Sequence, residues 1–459
     1  MGPRFALGRP GGETDDGFAR MKIAVIGAGW AGMAAAIAHT QAGRQVTVFE
    51  AARTVGGRAR AVPARLPDGT AATLDNGQHI LIGAYATSLR LMRLVGVNPD
   101  AALLRLPLTL QFPDGQGLRL PDLPPPLDAL AGIATARGWG WRDKLALLRT
   151  ASGWQRRGFR CAPEVSVAQL CAGLTPRLMA EFIDPLCVSA LNTLSHEASG
   201  QVFLRVLQDS LFSGQGGSNL LLPRTDLGAL FPEAAGRWLQ AQGGALHTGH
   251  RVQRLARSPA GGPHGGAGWR VDDLPFDAVV LATTSTEAAR LALTAQSTLP
   301  GPEAAALHAW VGCAQALRFT AISTVYAQAP APSHGHLLSR PMLALRPGAG
   351  RPAQFVFDRG QLGGPAGLLA FVVSASAGDR ATLERAVLQQ AREQLGLQGL
   401  GIVQTVIEKR ATFACTPGLQ RPAPALADGL CACGDYIEGP YPATLEGAVL
   451  SGTAAAGLA

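Results

Sequence analysis

The stretch of residues 21–60 constrains the fold of this chain most strongly. It opens with a short apolar run at 22–26, as expected of a parallel strand that is covered on both faces. This run leads directly into a glycine-rich turn at 27–32 (GAGWAG), and an alanine-rich helix is predicted over about 31–42. A second apolar strand is predicted at 45–49. The order of strand, glycine turn, helix and strand predicts a dinucleotide-binding βαβ unit.

Each glycine of this turn has its own predicted role. Gly27 permits the tight turn, Gly29 lets a pyrophosphate approach the backbone, and Gly32 lets the helix pack on the strand. Glu50, 23 positions after Gly27, is placed to accept hydrogen bonds from a ribose. The alternative, a βαβ unit without a nucleotide, stays open because a lone glycine fingerprint arises by chance in a chain with 57 glycines. The predicted contacts of this unit are Gly27, Gly29, Trp30, Ala31, Gly32 and Glu50.

The segment after Glu50 distinguishes FAD from NAD. Val55-Gly56-Gly57-Arg58-Ala59-Arg60 resembles the extended fingerprint of the flavin amine oxidase and phytoene desaturase superfamily. This resemblance implies FAD as the cofactor, with backbone N–H groups at Gly57 near the phosphates and Arg58 as a fixed cation. The alternative is a glycine-rich surface loop that happens to carry one arginine.

A further motif lies at residues 73–83 (TLDNGQHILIG) and predicts a strand, a turn at Asn76-Gly77 and a second apolar stretch. In the superfamily named above, this segment passes the reactive edge of the flavin ring, which implies Gly77 and Gln78 as cofactor contacts. We predict His79 as a general acid because its unperturbed pKa lies near neutrality, with Gln78 as an orienting donor. The alternative is that His79 is a turn histidine with a satisfied hydrogen bond.

The C-terminal part of the chain returns to the cofactor. Gly429–Cys433 is a predicted strand that ends at Gly434-Asp435, and a last helix begins at Thr444. In two-domain flavoproteins such an aspartate lies near the ribityl and phosphate groups, and the helix N-terminus stabilises electron density on the ring. A strand is also predicted over 247–254, from which Val252 would meet the adenine through its backbone. The predicted contacts at the chain end are Gly434, Asp435, Thr444 and Leu445.

Five stretches narrow the resemblance to the hydroxysqualene dehydroxylase family, FAD-dependent enzymes of bacterial hopanoid pathways. They are LDNGQHILIGAY (74–85), NLLLPRTDLG (219–228), FVFDRG (355–360), EKRATFACTPG (408–418) and CGDYIEGPYPATLEGAVLSG (433–452). The resemblance covers the chain from Met21 onwards and implies reductive removal of the hydroxyl of hydroxysqualene, a long-chain isoprenoid, to give squalene. Such a reaction needs hydride from reduced FAD, an acid to assist the departing hydroxyl, and an apolar tunnel for the substrate.

Other functions stay open at this point. The main alternative is a carotenoid-type, phytoene-like desaturase, because hydride removal and hydride delivery need the same geometry. An amine oxidase is less favoured, since no aromatic pair flanks the final Gly-Asp helix, and a non-catalytic FAD-binding lipid carrier represents another class. For the acid, Arg410 and Tyr436 are weaker candidates. No second nucleotide fingerprint identifies the external electron donor that reduces FAD.

These motifs predict an α/β fold, a two-domain flavoprotein with a Rossmann-type FAD-binding domain and an α+β substrate domain. Residues 1–20 are polar and glycine-rich and are predicted to form a disordered leader, with Met21 as an alternative start. Both predicted domains are discontinuous: 21–96, 220–284 and 426–459 for FAD, and 97–219 and 285–425 for the substrate.

The region 127–160 predicts contact with a membrane surface. It carries Trp139, Trp141 and Trp154 between arginines and aliphatic residues, which is typical of amphipathic helices at a bilayer interface. The alternative is a set of helices packed within the domain, with solvated arginines. The composition is 47% hydrophobic, yet no apolar run reaches the length of about 18–20 residues that a membrane span needs.

Charge and cysteine content set the remaining expectations. The net charge of +8 permits contact with anionic lipid or nucleic acid, but no nucleic-acid motif accompanies it, so we expect no such partner. Seven cysteines form neither a C-x-x-C pair nor a metal-ligand spacing, which predicts reduced thiols and no metal. Because no secretory signal is evident, we expect a cytoplasmic protein that is peripheral on the inner face of the cytoplasmic membrane.

Overall fold

A computed structural model describes residues 20–212, 214, 216–258, 267–329 and 336–458 of the 459-residue chain. Residues 1–19 of the predicted leader lie outside this part. The strands, in chain order, are β1 (Lys22–Ile26), β2 (Gln45–Glu50), β3 (Ala61–Arg65), β4 (Ala71–Asp75), β5 (Leu81–Ile82), β6 (Leu103–Leu106), β7 (Thr109–Gln111), β8 (Gly117–Arg119), β9 (Leu220–Pro223), β10 (Ala245–Thr248), β11 (Leu255–Ser258), β12 (Gly268–Val271), β13 (Leu274–Phe276), β14 (Ala278–Leu281), β15 (Phe319–Gln328), β16 (Met342–Ala344), β17 (Phe355–Asp358), β18 (Leu368–Ser376), β19 (Gly401–Phe413), β20 (Ala425–Ala427) and β21 (Leu430–Ala432).

The helices are α1 (Trp30–Gln41), α2 (Ala86–Leu94), α3 (Pro99–Ala102), α4 (Leu127–Thr135), α5 (Trp141–Arg156), α6 (Val167–Leu170), α7 (Pro176–Leu178), α8 (Asp184–Leu191), α9 (Gly200–Phe212), α10 (Leu227–Leu230), α11 (Pro232–Ala241), α12 (Ser285–Ala295), α13 (Gly301–Gln315), α14 (Arg380–Leu395) and α15 (Leu445–Ala455). A π-helical turn (Met179–Ile183) joins α7 to α8. Short 3-10 turns occupy Gln296–Thr298 and Arg359–Leu362.

A six-stranded sheet carries the glycine-rich turn. Its strand order is β10-β2-β1-β14-β21-β20, with β10 through β21 parallel and β20 antiparallel at one edge. Strand β1 forms in the interior because its residues are apolar on both faces, and Ile23, Ala24 and Val25 are fully buried. Since the carboxyl ends of parallel strands meet at one edge, the glycine turn after β1, Glu50 of β2 and Gly434 beyond β21 come together there.

The two ends of the chain pack against each other in this region. Helix α15 lies so close to α1 that a Cβ added at Gly452 would stand 2.1 Å from the carbonyl oxygen of Ala31. The carboxylate of Glu446, in the first turn of α15, accepts the backbone N–H groups of Thr87 and Ser88 at 2.9 Å each. These two residues open α2, so the last helix is fixed to two helices of the N-terminal segment.

A second, antiparallel sheet has the order β16-β17-β18-β15-β19. Successive side chains of β17 point to opposite faces, as the pleat requires. Val356 is buried together with Leu383 and Val387 of α14 on one face. On the other face, Phe355 and Phe357 line a cavity. The sheet therefore has a covered outer face and an inner face that forms a cavity wall.

The predicted strand over 247–254 is wrong beyond Thr248. Strand β10 ends there because Gly249 adopts a left-handed backbone with φ +72°, which turns the chain away. The following residues have no regular structure until Leu255, where β11 begins. Val252 is nevertheless buried, on this loop rather than on a strand.

The three tryptophans of region 127–160 have different environments. Trp139 and Trp154 are buried, and the ring of Trp139 meets that of Phe182 edge-on at 5.8 Å, so the prediction that they face a bilayer is wrong. Trp141 has 70% of its surface exposed. Among the described residues, no helix has both the length and the apolar character needed to cross a bilayer.

Candidate active site

A cavity of about 500 Å³, the nucleotide cavity, opens at the carboxyl edge of the parallel sheet. The glycine turn forms part of its wall. Gly27 has φ +110°, and a Cβ there would stand 2.6 Å from the carbonyl oxygen of Ala282. A Cβ at Gly29 would meet no heavy atom closer than 3.9 Å, so space remains in front of this residue. The turn is thus tight on its protein side and open on its cavity side.

The N-terminus of α1 faces this space without a side-chain cap. Its N-cap residue is Gly29, and no acidic residue lies in the first turn. Uncapped N–H groups and the positive end of the helix dipole are the features that bind a pyrophosphate. Gly32 does not line the cavity, because a Cβ there would stand 1.9 Å from the carbonyl oxygen of Gly27. Its predicted packing role follows from that distance.

Glu50 fixes the geometry beside the turn. One carboxylate oxygen accepts the N–H of Ala28 at 2.7 Å, and the other accepts the N–H of Ala52 at 2.8 Å. The carboxylate lines the nucleotide cavity and retains lone pairs, because each oxygen can accept two hydrogen bonds. It can therefore bind ribose hydroxyl groups while it holds the backbone.

Arg58 connects the two ends of the chain. Its guanidinium donates to Asp435 Oδ1 at 2.5 Å and to the carbonyl oxygen of Ala411 at 2.7 Å. Asp435 is buried, and the arginine side chain is 31% exposed. The predicted cation of the G-G-R motif and the predicted carboxylate of the Gly-Asp motif are thus partners in an ion pair.

These features fit FAD. Besides the uncapped helix and Glu50, the loop after β10 offers Val252, whose backbone N–H has no acceptor among the described residues while its carbonyl accepts from Arg290 at 2.8 Å. A buried, unpaired N–H on a cavity wall suits an adenine nitrogen. The residues that would hold the cofactor are Gly27, Gly29, Trp30, Ala31, Glu50, Gly57, Arg58, Val252, Gly434, Asp435, Thr444 and Leu445, all of which line the cavity. As FAD contacts they stay predictions.

A second cavity of about 300 Å³, the apolar cavity, lies against the antiparallel sheet. Most of its wall is aliphatic or aromatic, for example Leu108, Phe182, Leu186, Phe355, Phe357 and Val372. Phe182 comes from the π-helical turn between α7 and α8, a type of distortion that often occurs at functional sites. Gly77 and Gln78, predicted as cofactor contacts, line this cavity and not the nucleotide cavity.

The two cavities share a set of wall residues, which we call the junction: Arg58, His79, Ala411, Thr412, Ala443, Thr444 and Leu445. The N-terminus of α15 reaches this place, with Thr444 as a side-chain cap on the N–H of Gly447 at 3.0 Å. Ala443 has φ +58°, which is a strained backbone for a residue with a Cβ. Cofactor and substrate would therefore meet at the junction.

His79 has its hydrogen-bonding pattern fixed by the backbone. Its Nδ1 lies 2.7 Å from the carbonyl oxygen of Gly77, which can only accept, so Nδ1 carries the hydrogen. In the neutral ring, Nε2 is then an acceptor. Burial is the main cause that lowers the pKa of His79; the hydrogen bond to Gly77 opposes this in part, and the nearby Arg58 lowers the pKa further. This environment disfavours the imidazolium that the predicted general acid requires.

Gln78 is oriented by a buried arginine. Arg359 donates to the Gln78 side-chain oxygen at 3.1 Å, and the Gln78 amide nitrogen donates to the carbonyl oxygen of His79 at 3.4 Å. The same loop is anchored through Asp75, whose carboxylate accepts the N–H of Leu227 at 2.8 Å and whose carbonyl accepts Tyr326 O–H at 2.9 Å. The orienting-donor role of Gln78 stays a prediction that this geometry permits.

The weaker acid candidates lie outside both cavities. Arg410 donates to the hydroxyl of Thr286 at 3.0 Å and stacks over Phe319, and Tyr436 is buried. Sequence reasoning missed Ala411, Thr412 and Ala443 as wall residues, although the first two lie within the stretch 408–418 and Ala443 lies within the stretch 433–452. It also missed Asn192, for which the sequence carries no local signal.

Comparison with known proteins places the chain among flavoenzymes. The hydroxysqualene dehydroxylase of Rhodopseudomonas palustris is 29% identical over 474 residues, which covers 95% of this chain and 97% of that protein. The corresponding protein of Sinorhizobium fredii is 26% identical and covers 95% and 98%. By contrast, the zeta-carotene desaturase of Synechocystis is 30% identical over only 132 residues, 28% of this chain and 26% of that protein.

Solved structures of oxidoreductases share the fold of this chain. A solved oxidoreductase structure from Methanosarcina mazei superposes with a TM-score of 0.68 at 19% identity, covering 95% of this chain and 99% of that one. The fold is that of a two-domain α/β flavoprotein. A family model described as flavin containing amine oxidoreductase matches residues 30–459. The chain therefore belongs to the flavin containing amine oxidoreductase family and is an FAD-dependent oxidoreductase.

Proposed function

We propose that this enzyme removes the hydroxyl group of hydroxysqualene reductively and releases squalene. The observation that carries the proposal is the junction, where an apolar cavity meets the nucleotide cavity. Similarity to hydroxysqualene dehydroxylases over 95% of the chain supports the same substrate, a long-chain isoprenoid alcohol.

The reaction balances as a two-electron reduction of carbon. When bound in its reduced form, FAD supplies the hydride and is oxidised. At the substrate, the C–O bond breaks, a C–H bond forms with that hydride, and the departing oxygen keeps the bonding electron pair and takes up one proton from solvent to become water. An external electron donor must then restore the reduced cofactor.

The protein contributes the shape of the apolar cavity, the exclusion of water from it, and polar groups in its wall. The aliphatic and aromatic wall holds an isoprenoid chain so that one carbon lies at the junction, and it keeps competing water from an electron-poor carbon. The faces of Phe355 and Phe357 can stabilise positive charge that develops there. Gln78, held by Arg359, lines the same cavity and adds a polar group to its wall.

The second candidate function is a carotenoid-type desaturase. The two functions differ in the direction of hydride transfer, which goes to the substrate in a dehydroxylase and from the substrate in a desaturase. Protein reduced under anaerobic conditions should convert hydroxysqualene in detergent to squalene, identified by mass, while oxidised protein should leave phytoene unchanged. Conversion of phytoene by the oxidised protein, together with no squalene from the reduced protein, would reassign the enzyme to the desaturases. The partial match to the desaturase weighs against that result.

We also propose a peripheral membrane contact through α4, α5 and the residues before them. Five of the nine large apolar side chains exposed in the described part of the chain lie in this short segment: Leu123, Leu127, Leu130, Trp141 and Leu145, which are 40–70% exposed. Helix α4 packs inward through Gly132 and Ile133, so Leu127 and Leu130 face outward. Arg142, over the Trp141 ring at 5.5 Å, suits an anionic headgroup.

Vesicle co-sedimentation tests this contact. The wild type should bind vesicles that contain phosphatidylglycerol more strongly than pure phosphatidylcholine, and Leu127→Ser/Trp141→Ser should lose at least about tenfold in binding. The matched control is Leu274→Ser/Leu293→Ser, which removes two apolar side chains that are exposed elsewhere. Equal binding of both double variants would refute the assigned surface.

A further inference from the structure

A buried amide beneath the junction organises three strands of the antiparallel sheet. Asn192 caps the C-terminus of α8 with φ +46°, and its side chain is buried while the residue lines the apolar cavity. Its Oδ1 accepts the N–H of Ala375 on β18 at 2.6 Å. Because a backbone N–H can only donate, this contact fixes which end of the amide is oxygen.

The other end of the amide is thereby a double donor. Nδ2 donates to the hydroxyl of Thr320 on β15 at 2.9 Å and to the hydroxyl of Thr412 on β19 at 3.0 Å. The Thr320 hydroxyl in turn donates to the carbonyl oxygen of Asn192 at 3.0 Å. Both hydrogens of the amide and the hydrogen of Thr320 are thus assigned.

The hydroxyl hydrogen of Thr412 has no good acceptor within the described residues. The nearest one is the Thr320 hydroxyl oxygen at 3.4 Å, which already accepts from Asn192. Hydroxyl hydrogen bonds are usually about 2.7–2.8 Å long, so this contact is weak. Thr412 lines both cavities, and its oxygen accepts from a fixed amide, which polarises its O–H as a donor.

Strain in the same network indicates that its geometry is held in place. Ala375 adopts φ +47°, a left-handed backbone that disfavours a residue with a Cβ, and its N–H makes the 2.6 Å bond to Asn192. Asn192 is itself left-handed. Asparagine commonly adopts this backbone at a helix C-terminus, so the strain lies at Ala375, whose N–H holds the Asn192 amide in place.

We propose that the Thr412 hydroxyl is the donor that binds the departing hydroxyl of the substrate, with Asn192 as its positioning residue. The inference rests on the proposed function. The other polar groups of the junction suit this task less. The Thr444 hydroxyl donates to the carbonyl oxygen of Tyr441 at 3.0 Å, Arg58 is held by Asp435 and Ala411, and the neutral His79 ring has its hydrogen on the nitrogen that faces Gly77. A hydrogen bond from Thr412 strengthens as negative charge develops on the leaving oxygen, and no proton needs to move from threonine.

The test compares Thr412→Val, which keeps the shape and removes the hydroxyl, with Thr412→Ser, which keeps the hydroxyl. The first measurement needs no turnover: quenching of flavin fluorescence in the oxidised holoenzyme gives the dissociation constants of hydroxysqualene and squalene. We expect the preference of the wild type for the alcohol to fall about tenfold in Thr412→Val and to persist in Thr412→Ser. The second is single-turnover reoxidation of the reduced holoenzyme by hydroxysqualene, which should slow about 100-fold in Thr412→Val alone.

Thr405→Val is the matched control, because Thr405 lies on the same strand, lines neither cavity and bonds Glu384 at 2.6 Å. It should leave both readouts unchanged. If Thr412→Val does not fold with bound flavin, Thr412→Ala takes its place, since it also lacks the hydroxyl. An alcohol preference and a rate that survive loss of the hydroxyl would overturn the inference. A wild-type holoenzyme that does not act on hydroxysqualene would instead overturn the proposed function.

Discussion

At the residue level, Glu50 has two roles. Its carboxylate oxygens accept two backbone N–H groups, and the residue lines the nucleotide cavity. Glu50→Gln replaces one oxygen with an NH₂ that faces an N–H donor, so we expect the dissociation constant for FAD to rise about 10- to 100-fold. Titration of the apoprotein with FAD, followed by flavin fluorescence, measures it. Glu393→Gln, on the exposed face of α14, is the control, and equal affinities for the two variants would show that Glu50 is dispensable.

His79 should remain neutral over the working range, because burial and Arg58 lower its pKa. A depressed histidine pKa means that the proton is already lost above about pH 6.5, the ordinary value. Single-turnover rates should therefore be flat from about pH 7 to 9, in the wild type and in His79→Gln. A rate that falls at least tenfold across this range in the wild type, but not in His79→Gln, would restore His79 as the acid.

Asp75 links pH to stability. Burial raises the pKa of its carboxyl to about 6, above the ordinary carboxyl value, so the folded protein holds this proton more tightly than the unfolded chain does. The contribution of Asp75 to stability is then fully present below about pH 4 and is lost as the pH rises through about 6, a change of roughly 3 kcal/mol. The difference in Tm between wild type and Asp75→Asn should shrink or reverse between pH 5 and 7.5. A constant difference would show that the carboxyl does not titrate there.

Sequence spacing predicts where a residue lies when the residues of a site are close together in the chain. Gly27, Gly29 and Glu50 lie within one βαβ unit, so spacing alone locates them on one cavity wall. The Asn192–Thr412 contact joins residues 220 positions apart, and no local pattern in the sequence indicates such a pair. At His79, the sequence indicates only an imidazole with an ordinary pKa. The contact with the Gly77 carbonyl and the burial, which determine the protonation of the ring, exist only in the folded chain.

At the scale of elements, the packing of α15 on α1 couples the two ends of the chain. Gly452→Ala would bring a Cβ to 2.1 Å from the carbonyl oxygen of Ala31, so the helices must move apart. We expect a lower Tm and weaker FAD retention, with a cost of about 1–3 kcal/mol as for other overpacked sites. Gly457→Ala is the control, since its Cβ would meet Ala454 only at 3.6 Å. Identical Tm values for the two variants would contradict the tight packing.

The spacing of apolar residues predicted strands β1 and β2, but it did not predict the end of β10 at Gly249. The run 22–26 and its partner strand form β1 and β2 because their apolar residues suit a sheet that is buried on both faces. The apolar pattern near 247–254 continues past Thr248, but the left-handed Gly249 ends the strand, a backbone effect that hydrophobic spacing does not report. The π-helical turn that presents Phe182 also has no counterpart in a pattern based on 3.6 residues per turn.

At the scale of the whole molecule, the fold class and the cofactor could be predicted because the FAD motifs lie at both chain ends, and the match over residues 30–459 confirms them. The domain boundaries stay a prediction. Composition could not separate buried from exposed tryptophan in region 127–160: Trp139 and Trp154 are buried, and only Trp141 of the three is exposed. Burial depends on how α4 and α5 pack on the rest of the chain, which no single segment encodes.

The stoichiometry of a single turnover distinguishes a reductive dehydroxylase from other flavoenzymes. The holoenzyme is photoreduced without oxygen and mixed with one equivalent of hydroxysqualene, while flavin absorbance and squalene are followed together in a single turnover. We predict that the flavin reoxidises and that one squalene forms for each flavin reoxidised. Flavin that stays reduced, or that reoxidises without an equal amount of squalene, would contradict the assignment of this protein as a reductive dehydroxylase.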